Sequence, residues 1–229
     1  LAAQEVREKV LRVASRLLEV APEDLEIQDG TIFVRGAPDR SLSMFQVAFA
    51  AYLDGRVRAE GEEPLLSATK FYDPRATYSN GCIVTVCEVD GETGLVRLDK
   101  IVAVEDCGTM LNPMIVEGQV MGAIAQGIGG ALYEAIVYDE NGQLLTDTFA
   151  TYALPTATEI PELVIDHLET PSPVTIGGIK GIGEGGLLAT PASVAGAVLD
   201  AIWPAGRRIE QLPLTPERVL SALQAEREG

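Results

Sequence analysis

The sequence predicts an α+β fold, a mixture of helices and β-hairpins. Helical apolar spacing appears at the N-terminus and again from Asn112. Two apolar runs, 82–89 and 95–104, flank the turn-forming stretch Asp90-Gly91-Glu92-Thr93-Gly94, which reads as a hairpin. The order of these elements shows no regular βαβ alternation, so an α/β sheet is not expected. With 229 residues, 47% of them hydrophobic, the chain can build a sizeable core in one large domain or two small ones.

Taken in order, Val6, Val10, Val13, Leu17 and Val20 recur at helical spacing over residues 3–20, and Pro22 closes that helix. Residues 25–35 alternate and turn at Asp29-Gly30, the signature of a small hairpin. Ser41 is placed to cap a second helix running to about Leu53. Residues 54–80, with Pro64 and Pro74, are polar and irregular and read as a crossing between an N-terminal region, 1–80, and a second region, 81–229. The first strand of the later hairpin is apolar on both faces, which predicts a position between two layers. Asn112-Pro113 opens a helix to about Ile136, with proline at its favoured first position. Glu140-Asn141-Gly142 predicts another hairpin over 138–149, and 163–168 a strand. Thr190-Pro191 is expected to cap a helix to about Ile202, and Thr215-Pro216 a last one.

Composition excludes several function classes. A formal net charge of −17 argues against nucleic-acid binding, which wants a basic footprint. It suits a cytoplasmic enzyme or a basic partner subunit equally. Cys82, Cys87 and Cys107 form no CxxC pair, which reads as reduced intracellular thiols. His167 is the only histidine, so a zinc site is not expected. No signal peptide opens the chain at Leu1, which reads as a fragment or processed product. The longest uncharged run, 118–133, is too short and too glycine-rich for a membrane span and reads as a buried helix.

The chemistry concentrates in residues 177–186, Gly-Gly-Ile-Lys-Gly-Ile-Gly-Glu-Gly-Gly, where six of ten positions are glycine and Glu184 is the only acid. Such a loop lets a ligand approach the main chain. Glu184 admits two readings. It is a solvated turn residue, or, bracketed by Ile176, Ile179, Ile182, Leu187 and Leu188, a carboxylate in apolar surroundings fit to act as a base. Gly181-x-Gly183-x-x-Gly186 satisfies the dinucleotide fingerprint as a bare pattern, but no helix is expected to open there and no βαβ unit surrounds it. In the helix from Asn112, five glycines (118, 122, 127, 129 and 130) cost roughly 1 kcal/mol each against alanine. Close helix packing or a bound ligand would offset that cost. Gln119 and Gln126, two turns apart, either face solvent or read a heterocycle edge.

Four blocks, in order, resemble the molybdenum hydroxylases, the family of xanthine dehydrogenase, aldehyde oxidase and aerobic carbon monoxide dehydrogenase large subunits. They are Cys87–Gly94, Glu105–Pro113, Glu117–Gly129 and Gly178–Gly186, and together they are far more specific than any one alone. The resemblance implies the C-terminal part of a molybdopterin-binding domain over 81–229. By the same resemblance Glu184 is the active-site base beside molybdenum, Gln119 hydrogen-bonds the molybdopterin, and Lys180, Gly181 and Gly183 belong to the loop lining it. It further implies hydroxylation of an aldehyde, N-heterocycle or similar small molecule with water-derived oxygen, or oxidation of CO. The cofactor would be molybdopterin, with the cytosine dinucleotide form as one candidate. Electrons would pass to 2Fe-2S clusters and FAD on an iron-sulfur small subunit and an FAD medium subunit. The family's upstream cofactor-binding blocks are missing from this chain, so the remaining part of the large subunit is an expected partner. Two further readings stand beside this one: a non-catalytic assembly piece of such a complex, and a nucleotide-binding domain.

Overall fold

A computed structural model describes residues 1–54, 57, 66–203 and 208–225. It divides into two compact units, Leu1–Asp73 and Pro74–Gly229.

In the first unit, α1 (Ala2–Leu18) buries Val10, Leu11, Val13 and Ala14 along one face. Strands β1 (Leu25–Gln28), β2 (Thr31–Val34) and β3 (Ala37–Ser43) form an antiparallel sheet in that order. Asp29 and Gly30 both take positive φ, 48° and 75°, as the primed turns of two-residue hairpins require. The expected cap at Ser41 is corrected: Ser41 pairs with Phe33 inside β3, and α2 (Met44–Leu53) is capped by Ser43. Ser43 wins because a glutamine stands three residues on. The Gln46 amide donates to the Ser43 hydroxyl at 3.2 Å, and the Ser43 amide to Gln46 Oε1 at 2.8 Å, closing a capping box. Ile32 and Val47 are fully buried at the centre of this unit. Of the expected crossing, 55–56 and 58–65, including Pro64, lie outside the described residues, and 67–79 carry no regular secondary structure.

In the second unit, β4 (Asn80–Val89) and β5 (Val96–Asp106) make the expected antiparallel hairpin. A bulge after Val86 lets Lys100 and Leu98 face successive β4 residues. The third strand, β6 (Glu162–Leu168), pairs with β5 in parallel, from Lys100↔Glu162 to Asp106↔Leu168. A parallel neighbour needs a crossover. Here α3 (Pro113–Ile128), which ends in a π-turn at Gly129–Tyr133, and the passage after it supply one. Asn112 caps α3, its Oδ1 accepting from the Ile115 amide at 3.2 Å. The hairpin expected over 138–149 reduces to a single bridge, Tyr138↔Leu144, because the Asp139 carboxylate takes the Asn141 and Gln143 amides into a local turn.

Helix α4 (Gly185–Ile202) packs along β4 and α3, and α5 (Pro216–Gln224) is capped by Thr215. The core joins Ile101 and Ala103 of β5, Val120, Ile124 and Ile128 of α3, and Val194 and Val198 of α4. Thr85 and Ser193 hydroxyls, 2.8 Å apart, tie α4 to β4. Only one face of β4 is covered among the described residues: Cys82, Val84 and Val86 are exposed, against the expected position between layers. The 118–133 run is half buried, with Val120, Ala123, Ile124, Gly127 and Ile128 inward and Gln119, Met121, Gly122 and Gln126 outward. Among the described helices, α4 alone is long and apolar enough to cross a membrane. Its packing on α3 and β4 accounts for that apolarity.

Candidate active site at the start of α4

The end of β5 and the glycine loop are laced together by backbone. The Thr109 and Ser172 amides both donate to the Gly178 carbonyl, at 3.2 and 2.9 Å, and the Lys180 amide donates to the Cys107 carbonyl at 2.8 Å. Gly108 and Ile179 form an isolated bridge. Asp106 anchors this junction: its Oδ1 accepts from the Gly108 amide at 2.8 Å, the Thr170 amide at 3.1 Å and Lys180 Nζ at 3.2 Å. Bonding from Thr170, Gly108 and Lys180 holds the Asp106 carboxyl well below the usual carboxylate range. Lys180 therefore spends its charge on Asp106, with both side chains 9% exposed, and its ammonium fastens the loop.

Helix α4 starts six residues earlier than the Thr190-Pro191 cap predicts. Glu184 is its N-cap, and its carbonyl accepts from the Leu187 and Leu188 amides at 3.1 and 3.3 Å. Pro191 lies inside the helix. Its ring and Thr190 pack where α3 has Gly127: a Cβ there would lie 2.6 Å from Thr190 Cβ and 3.3 Å from Pro191 Cδ. A local cap signal thus loses to helix–helix packing. Since a helix does open within Gly183-x-x-Gly186, that objection to the dinucleotide fingerprint falls. The strand that the fingerprint needs directly before its glycines is still lacking among the described residues: β6 ends at Leu168, and Ile179 makes a single bridge.

The structure brings Gln119 to the glycine loop: its Oε1 lies 4.0 Å from the position a Cβ on Gly183 would take. Gly186 sits so close to α3 that a Cβ would fall 2.8 Å from the Val120 carbonyl oxygen, which locks the first turn of α4 onto the turn carrying Gln119. Gly118, Gly122 and Gly181 face open space, with nothing within 4 Å of a Cβ. Bare backbone is thus exposed on both α3 and the glycine loop, and the Gln119 amide and the Glu184 carboxylate, next in sequence to Gly118 and Gly183, are exposed as well. The apolar surroundings expected for Glu184 are not supplied by the described residues, since Ile176 and Leu188 are themselves exposed. Gln126 is also exposed, on the outward side of α3.

Two residues of the second block, Glu105 and Asp106, matter here although the block itself marks no role for them. For Glu105 a signal existed: it continues the Ile101, Ala103 alternation and so stands at a core-facing position of β5. Among the described residues no group of three or more His, Cys, Asp or Glu side chains is arranged to hold a metal ion.

A family model described as the molybdopterin cofactor-binding domain matches residues 1–161. The chain is 44% identical over 222 residues to the nicotine 6-hydroxylase large subunit of Paenarthrobacter nicotinovorans, covering 96% of this chain and 27% of that protein. It is 35% identical over 225 residues to the carbon monoxide dehydrogenase large chain of Hydrogenophaga pseudoflava, covering 98% and 28%. Superposition on the crystal structure of quinoline 2-oxidoreductase from Pseudomonas putida 86 gives a TM-score of 0.85 at 45% identity, over 97% of this chain and 28% of that one. The chain thus spans 27–28% of the length of these relatives.

Proposed function

The chain belongs to the molybdopterin cofactor-binding domain family, and on that premise we propose that it is part of the large subunit of a molybdenum hydroxylase, with Glu184 as the base. The observation that carries this reading is the approach of Gln119 to Gly183, which sets an amide donor and acceptor beside the bare loop backbone that leads into Glu184. Open space over Gly118, Gly122 and Gly181 fits an extended planar group lying against main chain. When bound, the molybdenum cofactor would supply the two-electron redox centre.

The chain's own residues then divide the work. Gln119 offers both a donor and an acceptor to the edge of the pterin. Gly181 and Gly183 allow close approach of the loop, and the Lys180–Asp106 pair keeps that loop in place. Glu184, at the head of α4, takes a proton at a carboxylate oxygen from the attacking water-derived group. Substrate walls come from the rest of the large subunit. The relatives at 44% and 45% identity are named for nicotine and quinoline. Both are N-heterocycles, so we favour that substrate class over an aldehyde or CO. By the same reading the cofactor takes the cytosine dinucleotide form, and an iron-sulfur small subunit and an FAD medium subunit, in the cytoplasm, receive the electrons.

The test is Glu184→Gln in the reconstituted complex. Turnover should fall by roughly 10²–10⁴-fold, the usual contribution of a general base, with molybdenum content unchanged. Undiminished turnover would instead leave the chain as a non-catalytic assembly piece.

A further inference from the structure

Glu105 is 1% exposed, and neither carboxyl oxygen has a hydrogen-bond partner among the described residues. It faces the core beside Ile101 and Ala103, whereas its neighbour Asp106 points the other way, to Lys180. Its carboxyl group lies between glycines of two different elements. A Cβ on Gly81 of β4, its register partner, would fall 2.5 Å from both carboxyl oxygens, and one on Gly185 would fall 2.9 Å from Oε2. Gly185 is the first residue of α4 and follows Glu184 directly. The carboxyl thus occupies the space that two absent side chains leave.

A buried carboxylate without a cation or a donor is costlier than its protonated form. Burial accordingly pushes the Glu105 carboxyl up. None of the described titratable groups on the elements packed against it, Cys107 of its own chain segment included, hydrogen-bonds it. His167 of β6, its other register partner, has both ring nitrogens buried and without a hydrogen-bond partner among the described residues. Glu184 on α4 is a like charge, and β4 offers Gly81.

We propose that Glu105 is a positioning residue for Glu184: a neutral carboxyl group, clamped between Gly81 and Gly185, sets where α4 begins and so where the Glu184 carboxylate is carried. This rests on Glu184 being the base. A neutral wedge holds the helix start without placing a second negative charge behind that base, which a carboxylate there would do.

The test uses the full chain in its assembled complex and two variants. Infrared difference spectra at pH 7 between wild type and Glu105→Gln should show loss of a protonated-carboxyl band; loss of a carboxylate band overturns the proposal. Hydrogen exchange is read at the Gly185, Leu187 and Leu188 amides, which bond the Ile182 and Glu184 carbonyls. Glu105→Ala should speed it about tenfold or more, while Glu105→Gln, isosteric and neutral, should stay within about twofold of wild type. Wild-type exchange in Glu105→Ala overturns it. If Glu105→Ala does not fold, Glu105→Gln decides: native exchange upholds the proposal and collapse overturns it. Turnover surviving in Glu184→Gln would remove the base without altering either spectroscopic result, so the two failures are distinguishable.

Discussion

Asp106 shows how one side chain can hold a loop by charge. It is buried, accepts three hydrogen bonds and pairs with Lys180, so its carboxylate is the form the fold requires. Its folded pKa is depressed below the unfolded value of about 3.9, so the stability it contributes is present above that pH. That contribution is lost as pH falls through the folded value. Acid unfolding of wild type should therefore be steeper below about pH 4 than that of Asp106→Asn. At neutral pH the same variant should cost about 1–3 kcal/mol in chemical denaturation, since Lys180 loses its buried counter-charge. Equal stability of the two proteins at neutral pH would show that the pair does not hold the loop. Asp106 was legible as part of a family block, but its bond to Lys180 joins residues 74 apart and no local pattern announces it.

At the scale of elements, the glycines of α3 and α4 sort into two kinds that look alike in sequence. Gly186 is required by close approach to the Val120 carbonyl, whereas Gly122 faces open space. Gly186→Ala should destabilise by about 1–3 kcal/mol, as overpacking does, and displace the head of α4. Gly122→Ala should stabilise the chain by about 0.5–1 kcal/mol, because alanine costs less backbone entropy in a helix. If that bare backbone receives the cofactor, Gly122→Ala should also lower molybdenum loading of the reconstituted complex. Unchanged loading, measured by metal analysis, would place the cofactor elsewhere. The start of α4 belongs to this scale too: Thr190-Pro191 carries a sound local cap signal, yet Gly127 and Gly186 seat the helix on α3 a turn and a half sooner.

At the scale of the whole molecule, the outer face of the second sheet is left uncovered by the described residues. Val84 and Val86 of β4 and Val164 of β6 are 54%, 50% and 40% exposed, and Val84, Val102 and Val164 stand in one cross-strand row. If the chain is part of a large subunit, as proposed above, the remainder of that subunit is the cover we expect for this face. The chain alone should bind a hydrophobic dye strongly, and assembly with that remainder should remove most of the signal. Dye binding that persists in the complex would leave the face open to another partner.

What could be read directly from the sequence was whatever neighbouring residues decide among themselves. The α1 stripe, the Asp29-Gly30 and Asp90–Gly94 turns, the Asn112-Pro113 start of α3 and the four family blocks each depend on side chains a few positions apart. Tertiary structure alone decided the rest. It paired β6 with β5 in parallel, began α4 at Gly185, left Glu184 exposed and left the core-facing Glu105 without a hydrogen-bond partner among the described residues. Each of these is a contact, or a missing contact, between segments far apart in the chain, where packing energy overrides local preference.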